Sequence, residues 1–391
     1  MKTIAIIGGG PAGAMAAEKL ARGRGGVTVF EEKLGWEKPC GGGLSVKALR
    51  RYPFLFEAAT GARRVREAEF VASSGAAVRL RLRQPMAVYS RLVLNHLLLA
   101  RAAEAGAEIV ADRIVNLTAS RTSWRLEGRQ GAYQADFVIL AAGARSRLRG
   151  LLARDFQARD FMLTLGYYVP GAEDLLRVQF FDDFEGYAWA FPRPDHLSVG
   201  ICGKVGEGAM PELRQRLDGF MRKFGYPGED APVFAHLLPS LTVESWSDLR
   251  LAGEGWALAG DSAGLVDPLT GEGIYYAMRS GELLAECLLE DSPASYPLRV
   301  WREFAADLAH GARLGALFYR GDILGSSLST RMVEFCGRSG VVMNLLQDLT
   351  EGTQSYATLL TRLYGGLAAS LLEIAANLVR GVLPHLRSAE S

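Results

Sequence analysis

The chain carries 44 Lys and Arg against 43 Asp and Glu over 391 residues, a net charge of +1, so no global basic excess points to nucleic acid. At 49% hydrophobic and 22% charged residues, it has the composition of a soluble globular protein with room for a large core or two domains. Cys40, Cys202, Cys287 and Cys336 lie far apart with no CxxC pair, which argues against a disulfide framework or zinc site and for a reducing cytoplasm.

The chain opens on Ile4-Ala5-Ile6-Ile7, an apolar run that predicts a buried parallel strand. No signal peptide is expected, because this run leads directly into a glycine-rich turn. Gly8, Gly10 and Gly13 fall at the dinucleotide-fingerprint spacing, with Pro11 and Ala12 between them. The first glycine permits a tight turn, the second a close approach of backbone to a pyrophosphate, and the third close helix–strand packing. A helix is predicted from Ala12 to about Arg22, its N-terminus directed at phosphate. A second strand, Val27 to Phe30, runs into Glu31 and Glu32. An acid about 20 residues past the glycines suits ribose hydroxyls and disfavours a 2′-phosphate.

A second glycine-rich stretch follows at Cys40-Gly41-Gly42-Gly43. Alternation such as Val78-Arg79-Leu80-Arg81-Leu82-Arg83 predicts antiparallel strands over about 64–88. Tyr89-Ser90-Arg91 leads into a helix reaching about Gly106, with Leu92, His96, Leu99 and Ala103 on one face. Strands are predicted at 107–110 and at 136–140, the latter ending in Ala141-Ala142-Gly143. Strand-like runs occupy 155 to about 245, among them Tyr187-Ala188-Trp189-Ala190-Phe191-Pro192, whose aromatic residues share one face of a strand.

From Trp256 the pattern returns to a buried strand, ending in Gly260-Asp261-Ser262-Ala263-Gly264. Pro268-Leu269-Thr270-Gly271-Glu272-Gly273 then precedes a helix beginning at Ile274. The two glycine turns together indicate FAD. Asp261 is expected to accept from a ribityl hydroxyl. The amides near Gly271 to Ile274 would face the N1/O2 edge of a reduced flavin. Beyond Gly321 the chain reads as helical and apolar. One stripe comprises Val341-Val342-Met343 with Leu345-Leu346; a second comprises Leu367, Leu371, Ile374 and Leu378. No run of about 20 apolar residues predicts a spanning helix. The stripes suit a helical cap, or a contact with a membrane surface.

These elements define an α/β chain with an α+β second domain. A Rossmann-type FAD-binding domain is assigned to 1–63, 85–155 and 246–320. A mainly antiparallel, substrate-binding sheet domain is inserted at 64–84 and 156–245, and a helical region forms 321–391. The five histidines are scattered without metal-ligand spacing, so each reads as structural or surface and no metal is expected. Ser146 and Ser262 have no accompanying His/Asp arrangement for nucleophilic hydrolysis.

Three blocks carry a family resemblance over roughly residues 1–330: Lys38-Pro39-Cys40-Gly41-Gly42, Tyr187-x-Trp189-x-Phe191-Pro192, and Pro268 through Met278. On these, the chain resembles the geranylgeranyl reductases, within the para-hydroxybenzoate hydroxylase-like flavoproteins. The resemblance implies reduction of C=C bonds in an isoprenoid or other apolar substrate by hydride from reduced flavin. It places Arg91 at the FAD, and Met278, Ser280 and Gly281 on the helix behind the ring. The implied cofactor site comprises Gly8, Gly10, Pro11, Ala12, Gly13, Glu31, Glu32, Cys40, Gly41, Gly42, Arg91, Ala142, Gly143, Gly260, Asp261, Pro268, Gly271, Gly273 and Ile274. Cys40, Tyr187 and Trp189 are the catalytic candidates. Tyr187, Trp189, Phe191 and Pro192 are the substrate candidates.

Hydroxylases of this fold carry an acid where this chain has Ala142, which implies an electron donor other than a conventionally bound NADPH. NAD(P)H bound elsewhere and a ferredoxin-type carrier are the two options. The alternative function is a monooxygenase or halogenase-like enzyme acting through a C4a-oxygen adduct. No halogenase-type lysine is identified, and Ala142 also departs from the hydroxylase pattern. The expected location is cytoplasmic, with peripheral contact at the inner membrane surface.

Overall fold

The computed structural model describes residues 3–57, 61–204, 206, 209–228, 231–321 and 325–362. Its first sheet is six-stranded, in the order Ala252–Gly253, Trp256–Leu258, Phe137–Leu140, Ile4–Ile7, Val27–Phe30 and Glu108–Val110. All neighbours run parallel except the short edge pair at 252–257. Every residue of Ile4–Ile7 and Phe137–Leu140 is buried, as the centre of a parallel sheet covered on both faces requires.

Two helices are pressed together beside this sheet. Pro11–Gly23 begins with Pro11, whose fixed φ suits a first turn, and continues rich in alanine. It meets Ile274–Leu289 at Gly281, where a Cβ would lie 2.1 Å from the Ala12 carbonyl oxygen. Arg91–Glu104 also packs here, burying Arg91, Leu94, Leu98, Leu99 and Ala102. This corrects the expected face. Leu99 belongs to it, but His96 and Ala103 are exposed, and the His96 imidazole meets the Leu34 carbonyl 2.5 Å away. Leucines at 92, 94, 97, 98 and 99 surround the helix, so periodicity alone does not choose its buried arc.

The second sheet has eight strands, ordered Val233–Pro239, Phe161–Val169, Leu197–Lys204, Gly186–Pro192, Leu175–Phe180, Arg63–Val71, Ala77–Val88 and Gly43–Leu44. The alternation over 78–83 is realised as expected: Leu80 and Leu82 are buried while Arg79, Arg81 and Arg83 point outward. On one face, Leu213, Leu217 and Phe220 of the helix Ala209–Phe224 cover Ala188, Ala190, Val199 and Ile201. On the other, helices Leu328–Cys336 and Gly340–Thr350 bring Met332, Leu345 and Leu346 against Phe70, Leu80 and Phe180.

A three-stranded sheet, Ile114–Ala119, Trp124–Gly128 and Ala132–Ala135, lies between strands of the first sheet in sequence and was not anticipated. Of the two C-terminal stripes, the one at 341–346 buries Val342, Leu345 and Leu346. The stripe at Leu367, Leu371, Ile374 and Leu378 lies outside the described residues. Among the described residues, no helix is long and apolar enough to cross a membrane.

Candidate flavin site and adjoining cavity

The first glycine turn is shaped by what it excludes. Gly8 has φ +106°, and a Cβ there would sit 2.4 Å from the Ala141 carbonyl oxygen. A Cβ on Gly13 would lie 1.9 Å from the Gly8 oxygen. At Gly10 an added Cβ meets nothing within 4 Å, so the space above the helix N-terminus is open. Gly10 offers no side chain to cap that terminus, leaving its amides for an anion. Glu31 closes the turn by accepting from the amides of Gly9 (2.8 Å) and Lys33 (2.7 Å). Glu32 turns aside to Arg113 and Arg129, which flank strands of the small sheet, 3.2 and 3.6 Å away. A cradle closed to side chains, open over its amides and edged by an acid fits the adenosine and pyrophosphate portion of FAD.

The helix Ile274–Leu289 fastens the second turn to the first. Ser280 Oγ accepts from the Gly260 amide at 2.9 Å, while Gly281 abuts Ala12. Met278 and Ser280 are fully buried between the turns. Gly260, with φ +59°, leaves Ala12 and Ala277 as its nearest neighbours. Ala142 is exposed, and the Gly143 carbonyl accepts from Ser262 Oγ at 3.0 Å. The two distant turns therefore converge, as a single ligand held by both would require.

Asp261 is not free. Lys38 Nζ stands 2.7 Å from its carboxylate, a partner the sequence reading did not assign. Burial pushes the Asp261 carboxyl up, but the Lys38 ammonium and its hydrogen bond outweigh this and hold it below the usual range. His236, read from sequence as structural or surface, instead lies in the wall beside this pair. Burial, then the charge on Lys38, pushes its pKa down to about 3, so the ring is neutral at physiological pH. If Asp261 holds a ribityl hydroxyl, Asp261→Ala should weaken FAD binding about ten- to a hundredfold, the worth of a charged hydrogen bond. Titrating apoprotein with FAD measures this, and an unchanged Kd would remove the role.

The loop carrying Cys40 is held from beneath by residues missed in the sequence. Glu37 accepts from the amides of Arg91 (2.7 Å) and Leu92 (3.0 Å) and from the Ser90 hydroxyl, so it caps the helix that begins at Arg91. Arg193, immediately after the aromatic strand, has a fully buried side chain. It donates to Glu37 at 2.7 Å and to the Cys40 carbonyl at 2.5 Å. The Ser198 hydroxyl donates to the same carbonyl at 3.1 Å. Gly42 has φ +82° and lies against the Tyr89 carbonyl. Arg91 is buried, with no partner for its Nε among the described residues.

The structure brings Cys40, Gly41, Gly42, Tyr187, Trp189, Phe191, Gly271, Gly273 and Ile274 to one cavity of roughly 410 Å³. Pro192, by contrast, ends its strand buried and outside the lining. Tyr187 and Trp189 meet edge to face, with ring centroids 6.1 Å apart. The Tyr187 hydroxyl donates to the Thr270 carbonyl, tying the aromatic strand to the second turn. Trp189 Nε1 is buried without a partner among the described residues, so it is a donor available to a ligand. Phe70, Val178, Phe180, Phe318, Leu346 and Leu349 extend the apolar wall. Phe318, Leu346 and Leu349 come from beyond the aromatic motifs, and only their apolar helical spacing hints at the role.

The sequence pattern of the pyridine nucleotide-disulphide oxidoreductases matches residues 2–162. The chain is 30% identical over 326 residues to the chloroplastic geranylgeranyl diphosphate reductase of Oryza sativa subsp. japonica, covering 74% of this chain and 66% of that protein. It thus spans just under two thirds of the plant protein's length. It is 28% identical over 356 residues to a menaquinone reductase of Mycolicibacterium smegmatis, covering 80% and 84% of the two chains. A geranylgeranyl bacteriochlorophyll reductase-like structure from Thermoplasma acidophilum superposes with a TM-score of 0.76 at 21% identity, over 93% of this chain and 98% of the other. CmlS, a flavin-dependent halogenase, superposes at 0.68 with 20% identity, over 94% and 77%. The latter two establish the fold, which the halogenase shares, whereas the sequence relatives and the paired glycine turns are more specific. On that footing the chain is an FAD-dependent oxidoreductase similar to the geranylgeranyl reductases.

Proposed function

We propose that the protein saturates C=C bonds of an isoprenoid chain lying in the cavity beside the flavin. The observation that carries this reading is the cavity itself, with aromatic and aliphatic walls meeting the glycine loops at 40–43 and 271–273. Bound FAD, once reduced, supplies a hydride. The chain's own residues bind and orient the alkene and exclude water from it. Tyr187, Trp189 and Phe191 form one wall, and the Cys40–Gly43 loop forms the adjoining edge.

A proton must also reach the carbon next to the one that takes the hydride. Cys40 is the proposed source. Its sulfur accepts from the Gly42 amide at 3.3 Å, which fixes the side chain's direction. Arg193 and Ser198 anchor the same residue through its carbonyl. The proposed electron donor is NAD(P)H or a ferredoxin-type carrier, and the proposed setting is the cytoplasm with peripheral contact at the inner membrane surface.

Anaerobic reduction followed by addition of a polyprenyl compound tests the reaction. Reoxidation of the flavin without oxygen, with product heavier by two hydrogens, is the expected result. Reoxidation only on admitting oxygen, with an oxygenated product, would transfer the reading to the oxygenase class. Cys40→Ser should slow alkene-dependent reoxidation by roughly tenfold or more, the usual contribution of a positioned acid being larger still. Full turnover with an unchanged flavin spectrum would clear Cys40 of the role.

A further inference from the structure

One end of the cavity reaches solvent near Glu303, whose side chain is 37% exposed. Among the described residues, the charged side chains lining the cavity are Asp267, Glu272, Glu303, Asp307 and Lys47. Lys47 is already engaged. Its ammonium lies 2.8 Å from the Tyr276 hydroxyl and 3.5 Å from Glu272, and 4.4 Å from the ring centres of both Tyr275 and Tyr276. Arg279, behind the wall, is spent on Glu303, Glu282 and Glu286.

Asp307 accepts from the Ser355 hydroxyl at 2.6 Å and from the amides of Ala357 and Tyr356 at 3.0 and 3.1 Å. Asp267 accepts from the Tyr356 hydroxyl and from the Leu269 and Thr270 amides. Neither carboxylate has a cation within salt-bridge distance among the described residues.

Among the described residues, a phosphate or diphosphate entering this end would meet four carboxylates against two cations, Lys47 and Arg279, each already paired. At short range in a partly desolvated cleft such like-charge encounters are strongly unfavourable. Hydroxyl-bearing side chains, among them Tyr276, Thr350, Thr353 and Ser355, line the cavity as well. We infer that the substrate's polar end is uncharged, an alcohol or a ring hydroxyl or carbonyl, and that a phosphorylated prenyl chain is discriminated against. This rests on the prenyl-reductase reading of the cavity. It departs from the diphosphate in the name of the rice relative.

Geranylgeraniol and geranylgeranyl diphosphate, added separately to the oxidised holoenzyme, distinguish the cases. Binding is read from the perturbed flavin absorption, and anaerobic reoxidation of the reduced holoenzyme is followed in parallel. The alcohol should bind roughly tenfold or more tightly at low ionic strength, and added salt should narrow the gap by screening repulsion. Glu303→Gln should narrow it too, by removing one negative charge from the entrance. Equal or tighter binding of the diphosphate, or diphosphate affinity that falls with salt, overturns the inference. If neither compound perturbs the flavin or reoxidises it, the prenyl-reductase reading itself fails, and the inference falls with it.

Discussion

Gly13→Val protein is expected to emerge from purification without its flavin. The glycine lies where the Pro11–Gly23 helix crosses the end of the strand Ile4–Ile7, and a Cβ would stand 1.9 Å from the Gly8 carbonyl oxygen. Neither side has room to yield. Gly8 is itself 2.4 Å, by the same measure, from the Ala141 carbonyl. The strand is pinned between Val27–Phe30 and Phe137–Leu140. On the far side, the helix is pressed onto Gly281. The helix must therefore tilt, and its amides leave the line of the pyrophosphate.

Losing several such hydrogen bonds weakens FAD binding by about two orders of magnitude or more, while overpacking costs roughly 1–3 kcal/mol of stability. The ratio of flavin to protein absorption after gel filtration reads the first effect, and thermal unfolding of the apoprotein reads the second. Gly10→Ala is the informative companion. Its added methyl meets no protein atom within 4 Å, so apoprotein stability should hold while FAD affinity falls, if the space it fills is the one the phosphates take. Stoichiometric flavin in Gly13→Val would refute the geometry.

The legible parts of this molecule are those in which chemistry and sequence are local. A buried strand, a glycine turn, an alanine-rich helix and an acid at the next strand end occupy consecutive residues, so this βαβ unit is legible in the sequence alone. The second turn was readable for the same reason. Its partnership with the first follows from Ser280 and Gly281, which sit on one helix and contact both turns.

What stayed hidden depends on distant pairing. Lys38 is 223 residues from the Asp261 it faces, and Glu37 is 156 residues from Arg193. No periodicity connects such residues. His236 lies on an edge strand whose alternation is weak, so its place in the cavity wall has no local signature. The helix at 91–104 shows the same limit in packing, since with leucines on several sides only its tertiary neighbours decide which are covered. The small sheet at 114–135 has little signature in the sequence because its short strands expose much of their surface and carry little apolar alternation.

Arg193 carries the second large prediction. Its guanidinium is fully buried and links three elements: Glu37 at the head of the glycine loop, the Cys40 carbonyl within it, and the aromatic strand that ends one residue earlier at Pro192. Arg193→Met keeps the bulk of the side chain but leaves Glu37 without its cation and the Cys40 carbonyl with one donor fewer. Breaking a buried pair this way costs on the order of 3 kcal/mol, the low end of the range because Glu37 keeps 24% exposure.

The pH dependence carries the same signature. Burial raises the Glu37 pKa, but the Arg193 charge and hydrogen bonds from Ser90, Leu92 and Arg91 more than reverse this and leave it below its ordinary value of 4.5. A carboxyl depressed on folding stabilises the native state fully above its unfolded pKa, and that contribution is lost as the pH falls through the folded value. Wild type should therefore lose stability on acidification below about 4.5 more steeply than Arg193→Met, in which the pair no longer exists.

At neutral pH the variant should retain FAD, since the adenosine cradle is untouched, yet show slower alkene-dependent reoxidation because the Cys40 loop is no longer fixed against the cavity. Arg193→Lys, a cation without the forked geometry that reaches both partners, should recover part of the stability and less of the rate. If Arg193→Met matched wild type in both denaturant midpoint and reoxidation rate, the clamp would have no part in shaping the site.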